Sequence, residues 1–100
     1  MSLHLSVSLW PHAGQADALV AYEDTVLALL PRHGSTILSR VRRVGGPDPD
    51  DHEPFEVQLI ELPDEAALTA YLEDPERTAL AAEHRRVIAR TELVRVERVN

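Results

Sequence analysis

The sequence contains no cysteine and no lysine, and aromatic residues make up only 4% of it. Without cysteine the chain has no disulfide, iron–sulfur cluster, thiolate zinc site or cysteine nucleophile, which suits a reducing compartment. It also lacks an apolar run long enough to span a membrane, and the opening MSLHLSVSLW has neither the basic region nor the unbroken apolar region of a secretory signal. We therefore expect a cytoplasmic protein with no membrane partner.

Positive charge is scarce as well. The chain carries 17 acidic and 10 basic residues, a formal net charge of −7, and a negative surface repels the phosphates of nucleic acids. We therefore expect no nucleic-acid partner. With 100 residues, the chain has the size of one compact domain, residues 1–100, and a domain this small often gains stability by pairing. Size alone favours a homodimer.

The first half of the chain has the hydrophobic pattern of a strand, a helix and a second strand. The first strand alternates apolar with less apolar positions, namely Leu3, Leu5, Val7 and Leu9 with His4, Ser6, Ser8 and Trp10. The helix has Asp17 in its first turn, ends before Pro31, and carries an apolar stripe interrupted only by Glu23. Residues 36–44 are β-branched and then arginine-rich, which predicts an edge strand.

The second half repeats this plan after a polar connection, residues 45–54. Residues 55–62 alternate like a central strand, and Asp64 begins a second helix. Asp74 restarts that helix as its N-cap, with Pro75 at the first helical position. We expect the helix to continue through Ile88 and the last strand to cover residues 93–99.

The predicted order is strand, helix, strand, strand, helix, strand. This is the split βαβ plan, an α+β fold in which two helices cover one face of a four-stranded antiparallel sheet. The sequence predicts that the uncovered face carries residues from the less apolar sides of the strands, namely His4, Ser6, Ser8, Trp10, Glu56, Gln58 and Ile60. Two subunits are expected to appose these faces, with Arg40 or Arg42 near Glu56 or Glu97 at the seam.

The chain resembles the dimeric α+β barrel superfamily, and within it small bacterial domains of unknown function that are similar to antibiotic-biosynthesis monooxygenases. The resemblance covers most of the chain and lies in five runs, His33-Gly34, the strand ending at Leu62-Pro63, Asp74-Pro75-Glu76-Arg77, His84-Arg85-Arg86 and Thr91-Glu92-Leu93-Val94. It implies a ferredoxin-like subunit, a homodimer whose two sheets form a barrel, and a pocket between each sheet and its helices. Such relatives include cofactor-free oxygenases, haem-degrading enzymes, isomerases and proteins without known activity.

Four residues are candidates for a site in that pocket. His84, on an apolar helical stripe, has the unperturbed pKa of a general base near neutral pH, although a packing role is the simpler interpretation. Trp10, Tyr22 and Tyr71 are candidates to wall the pocket around an aromatic ligand, and each also has the ordinary explanation of burying surface. No cofactor-binding residue is predicted.

Acidic residues and one histidine cluster in the connection between the second and third strands. Asp48, Asp50, Asp51, His52 and Glu53 offer oxygen and imidazole ligands. Their spacing lacks the glycine and final glutamate of a calcium loop, so a solvated acidic turn is the simpler interpretation and no metal site is predicted.

Two classes of function remain open on this sequence. In the first, the protein is a homodimeric module that binds a small molecule or a protein partner and performs no chemistry. In the second, it is a cofactor-independent monooxygenase or isomerase acting on an aromatic or polyketide-like compound, with His84 as its base. Which of the two classes applies depends on whether the candidate side chains converge on one cavity.

Overall fold

The computed structural model describes residues 2–99. The strands are β1 (Leu3–Pro11), β2 (Thr36–Arg42), β3 (Glu56–Leu62) and β4 (Ile88–Val96). The helices are α1 (Ala16–Leu27), α2 (Glu65–Leu72), α3 (Pro75–Thr78) and α4 (Ala81–Val87), with one 3₁₀ turn at Leu30–His33. The sheet has the order β2-β3-β1-β4 and is antiparallel throughout. The predicted ferredoxin-like α+β architecture is confirmed, with β2 and β4 at the edges.

The caps predicted for the second helical region are present. The Asp64 side chain accepts a hydrogen bond from the backbone N–H of Ala67 and begins α2. The Asp74 side chain accepts from the N–H of Glu76 and begins α3, with Pro75 at its first position. Because proline has no N–H to offer, it fits the one helical turn in which that donor is not needed.

Asp74 also fastens this turn to the rest of the molecule. Its side chain is almost fully buried and lies 2.7 Å from His33 Nε2 and 3.3 Å from Arg32 Nη1. The hydrogen bond from His33 is the largest influence holding the pKa of Asp74 below its usual value. One carboxylate therefore caps α3 and ties it to the 3₁₀ turn that follows α1.

The last strand begins five residues earlier than the sequence predicted. We expected Ile88 to continue the helix and the strand to start at Leu93, but Ile88 has extended backbone angles and pairs with Pro11 of β1. The carbonyl of Val87 accepts a hydrogen bond from His12, so the chain leaves the helix already joined to β1. The β-branched Ile88 suits this strand position, where sheet pairing outweighs helical spacing.

The prediction of which side chains share a sheet face was half wrong. Paired residues of antiparallel strands point to the same side, and Leu5 pairs with Ile60, Val7 with Gln58 and Leu9 with Glu56. Glu56, Gln58 and Ile60 therefore lie on the helix-covered side, together with the apolar side chains of β1.

The core lies between this side of the sheet and the helices. Its main members are Leu5, Leu9, Leu19, Val26, Ile60 and Leu62. The opposite side, which we call the helix-free face, carries residues from all four strands, His4, Ser6, Ser8, Trp10, Ser39, Val41, Val57, Leu59, Glu61, Arg90, Glu92, Val94 and Val96. No helix among the described residues is long and apolar enough to cross a membrane.

Candidate functional site

A cavity of about 70 Å³ lies between the helix-covered side of the sheet and the helices. Most of its wall is apolar, with Leu5, Val7, Leu9, Ile60, Leu68 and Tyr71 among the residues that line it. Leu72 of α2 and Leu93 of β4 also line it, and both are about 40% exposed, so the cavity reaches solvent between these elements. Since one water-sized sphere needs roughly 10–15 Å³, the cavity holds about six such volumes.

Five polar side chains from five elements line the same cavity. They are Glu23 of α1, Gln58 of β3, Arg77 of α3, His84 of α4 and Thr91 of β4. Ligand pockets are mostly apolar with a small number of placed polar groups, and this cavity has that composition.

Arg77 lies over the face of Tyr71, with its guanidinium carbon 5.1 Å from the ring centroid. A cation over an aromatic face is attracted by the ring quadrupole, which holds the guanidinium in place. The Tyr71 hydroxyl donates to the carbonyl of Val26 at 3.2 Å. Burial raises the pKa of Tyr71 to about 12, so its hydroxyl stays protonated at neutral pH.

His84 is half-buried, and its ring meets the Tyr22 ring edge-to-face with the centroids 5.6 Å apart. Burial, and then the positive charge of Arg77, lowers the pKa of His84 below its usual value. The imidazole is therefore neutral at pH 7 and one ring nitrogen can accept a proton. Tyr22 itself does not line the main cavity. It lies with Arg77 and His84 along a shallow surface pocket next to the cavity.

Gln58 joins two buried carboxylates. Its side-chain Nε2 donates to Glu23 Oε1 and to Glu56 Oε2, each at 2.7 Å. Glu56 is fully buried and receives hydrogen bonds from Arg40 and Arg42. These hydrogen bonds more than offset the effect of burial, and they hold the pKa of Glu56 below its usual value.

The predicted pairing of Arg40 or Arg42 with Glu56 is present within the single chain, away from the face on which two subunits were expected to meet. All three side chains lie on the helix-covered side of the sheet, because Arg40 pairs with Gln58 and Arg42 with Glu56 in the strand register. Arg40 also reaches Asp24 on α1 at 2.6 Å. The pair therefore fastens the edge strand to the first helix, and Glu97 is exposed and takes no part in it.

Glu23 has a weaker set of partners than Glu56. Burial raises the pKa of Glu23 above its usual value, although the hydrogen bond from Gln58 and the charge of Arg77 oppose this. The folded protein therefore holds this proton more tightly than the unfolded chain does, and it loses stability as the pH rises through the raised pKa.

Replacing Glu23 by glutamine is expected to stabilise the protein at pH 7. The amide keeps an oxygen that can accept from Gln58 and removes a buried charge, so the free energy of unfolding should rise by on the order of 1 kcal/mol. The gain should shrink towards pH 4, where the carboxyl is protonated in both states. Thermal unfolding of the variant and the parent at pH 7 and pH 4 measures this, and a variant less stable than the parent at pH 7 would show that the Glu23 charge is stabilising.

Trp10 lies away from the cavity. It is buried at the end of the helix-free face, with the Arg90 guanidinium carbon 4.3 Å above its ring centroid. Its indole N–H is buried and, within residues 2–99, has no hydrogen-bond partner. Of the residues singled out from the sequence, the structure thus brings Tyr71 and His84 to the cavity, places Tyr22 beside His84, and puts Trp10 on the other side of the sheet.

The acidic connection between β2 and β3 is held by hydrogen bonds between its side chains and its own backbone. Asp48 accepts hydrogen bonds from the N–H groups of Asp50 and Glu53, at 3.0 and 2.9 Å, and these bonds lower its pKa. Arg43 pairs with Glu53 at 3.0 Å. Over residues 2–99, no three histidine or acidic side chains are grouped so as to hold a metal ion.

Sequence reasoning missed Glu23, Gln58 and Arg77. Two of them left a signal, since Glu23 is the only polar residue in the α1 stripe and Arg77 precedes Leu80 and His84 by three and seven residues, the spacing of one helical face. Gln58 left none, because its assignment depended on knowing which side of β3 the helices cover.

Solved structures with this fold come from several bacteria. A protein of unknown function from Rhodopseudomonas palustris has 19% identity and a TM-score of 0.74, and the match covers 99% of this chain and 83% of that one. A dabb family protein with a ferredoxin-like fold from Mesorhizobium loti has 17% identity and a TM-score of 0.66, with 99% and 98% covered. A putative antibiotic biosynthesis monooxygenase from Bacteroides thetaiotaomicron has 13% identity and a TM-score of 0.75, with 99% and 90% covered.

At these identities the likeness shows a shared ferredoxin-like fold and does not transfer an activity. No protein-family model matches the sequence, and no curated protein matches it either. Function must therefore be argued from the cavity and the helix-free face.

Proposed function

We propose that this protein is a homodimer that binds a small molecule in the cavity between the sheet and the helices of each subunit. The observation that carries the proposal is the convergence of Glu23, Gln58, Arg77 and His84 on one apolar cavity. Polar groups in a hydrophobic core are normally paired with one another, whereas the Nε of Arg77 is buried and has no hydrogen-bond partner within residues 2–99. Such groups give a ligand its orientation.

The size of the cavity limits the ligand. The volume of about 70 Å³ is far below the roughly 300–1,000 Å³ of pockets for drug-sized ligands, so it suits a compound of only a few non-hydrogen atoms. A polyketide-sized compound would require the cavity to widen, and the exposed Leu72 and Leu93 at its rim are the side chains that would have to move.

Pairing of subunits is supported by the helix-free face. Val41, Val94 and Val96 are exposed there, and they flank a middle strip that includes Ser6 and Leu59. Small serines permit a close approach of a second sheet, and two facing sheets pack about 10 Å apart. Covering this face with its copy in a second subunit would bury the exposed valines, as the resemblance to dimeric α+β barrels implies.

Titration with butyramide tests binding in the cavity. This neutral compound has about six non-hydrogen atoms and can be followed at the side-chain amide of Gln58, with the surface amide of Gln15 as an internal reference. We expect the Gln58 signals to move with added butyramide and the Gln15 signals to stay in place.

Val7→Phe is the matched variant, because the phenylalanine ring would fill the cavity. The backbone spectrum reports whether the variant keeps the fold. We expect this variant to lose the response. A response that persists in a folded Val7→Phe protein, or the absence of any response in the parent, would contradict binding in the cavity.

A cofactor-independent isomerase or monooxygenase is the second candidate function. It is favoured by one observation, the neutral half-buried imidazole of His84 next to the Arg77 cation at the cavity. In an isomerase, His84 would take a proton from carbon next to a carbonyl group, and Arg77 would stabilise the charge that develops on the carbonyl oxygen. If this candidate is correct, the protein catalyses exchange of the protons next to the carbonyl group of 2-butanone with deuterium from solvent. The exchange rate should fall to the uncatalysed rate in His84→Gln.

A further inference from the structure

We infer that the cavity selects a small organic anion, such as a short carboxylate with an apolar body, and that Arg77 is the side chain that binds its charged group. This inference rests on the proposed binding function and names the class of ligand. It is carried by the position of Arg77 at the cavity and by its lack of an ion pair within residues 2–99, which among the arginines that line the cavity or are partly buried is seen at Arg77 alone within those residues.

Most arginines of the protein have a carboxylate partner. Arg32, Arg40, Arg42, Arg43, Arg86, Arg90 and Arg95 each form an ion pair. Arg77 forms none with the residues from 2 to 99, although it is partly buried and lines the cavity. Its Nε is completely buried and, within the same residues, has no hydrogen-bond partner.

A buried donor without a partner is costly, and the cost is larger for a charged group. The guanidinium carbon lies 5.1 Å from the centroid of the Tyr71 ring, and Arg77 lines the cavity. The N–H groups of a guanidinium point outward in its plane with the spacing that carboxylate oxygens fit. An incoming carboxylate would accept from the N–H groups that reach the cavity.

Glu23 is the acidic residue that lines the cavity, and within residues 2–99 it forms no ion pair with Arg77. Its Oε1 accepts from Gln58, and burial raises its pKa in spite of the nearby arginine. Its carboxyl group is therefore held by Gln58. The neighbouring His84 is neutral at pH 7 and can donate or accept a hydrogen bond at the same end of the cavity.

The apolar side chains that line the cavity determine the chemistry of the uncharged part of the ligand. Leu5, Val7, Ile60 and Leu68 offer no hydrogen bonds, so the body of the ligand must be hydrocarbon. A sugar phosphate would leave hydroxyl groups unpaired against these side chains.

The experiment compares butyrate with butyramide, which have nearly the same size and shape and differ in charge. Both are titrated into the full chain at pH 7.5 and followed at the Gln58 side-chain amide. We expect butyrate to bind at least about 10-fold more tightly than butyramide, since hydrogen bonds to an ionised acceptor are about twice as strong as neutral ones.

Three variants locate the preference. Arg77→Met keeps the length of the side chain and should reduce the preference to less than about twofold. Arg77→Lys keeps the charge without the planar donors and should retain an intermediate preference. Arg98→Met removes an exposed arginine that does not line the cavity and should leave the preference of the parent intact.

Equal binding of the two compounds to the parent, or a preference that survives in Arg77→Met, would overturn the inference while leaving the proposed cavity function in place. Failure of both compounds to bind would overturn the proposed function together with it. The comparison in the parent does not depend on any variant folding.

Discussion

Glu56→Ala is expected to lower the free energy of unfolding by about 3 kcal/mol or more, and the melting temperature by at least about 12 °C. The side chain is fully buried and pairs with Arg40 and Arg42 while accepting from Gln58. Its removal leaves Arg42 without its carboxylate partner, takes one of two acceptors from the buried amide of Gln58, and empties the space that a fully buried side chain filled. Thermal unfolding at pH 7 measures the loss.

Glu53→Ala is the matched control, since Glu53 also pairs with an arginine but is exposed to solvent. Its expected cost is below about 1 kcal/mol. The Glu56 contribution should also depend on pH. Because its pKa is lower in the folded state, the stabilisation is present above the ordinary value of 4.5 and is lost as the pH falls through the lowered value. Equal losses for the two variants at pH 7 would show that the Glu56 cluster is not a major source of stability.

Val94→Glu is expected to convert the proposed dimer into a monomer. Val94 is 55% exposed on the helix-free face, so a charge there costs little in a single subunit. Between two apposed faces, the same carboxylate would be buried without a partner in each copy, which costs several kcal/mol. With about 1.4 kcal/mol for each factor of ten, the dissociation constant should rise at least about 100-fold.

Val44→Glu is the control for this change, because Val44 is 95% exposed and lies outside the strands. Sedimentation velocity across a range of micromolar concentrations should report a dimer for this control and a monomer for Val94→Glu. A Val94→Glu protein that still sediments as a dimer would show that subunits pair elsewhere, and a monomeric parent would remove the dimer from the proposal.

The arrangement of strands and helices could be predicted from the sequence because local signals agree with it. Period-two alternation in β1, the N-caps Asp64 and Asp74, and Pro75 at a first helical position each act within a few residues. The start of β4 could not be predicted in this way. Ile88 continues a helical spacing in the sequence, and its place in the sheet depends on pairing with Pro11, which is distant in the chain.

The site was harder to predict for a related reason. A strand with polar residues at alternate positions leaves open which side faces the helices, and the wrong choice moved Glu56 and Gln58 to the helix-free face. Their polarity suggested the uncovered face, but the arginines of β2 and the amide of Gln58 satisfy the carboxylate of Glu56 within the protein. Burial of charge depends on partners that sequence spacing does not reveal.

The most direct test of the cavity as the binding site is to find on which side of the sheet a bound molecule lies. We expect nuclear Overhauser contacts between the protons of bound butyramide and the methyl groups of Val7, Ile60 and Leu68, which line the cavity. Contacts with Val41, Val94 and Val96 in their place would put the ligand on the helix-free face and contradict the assignment of the cavity as the binding site.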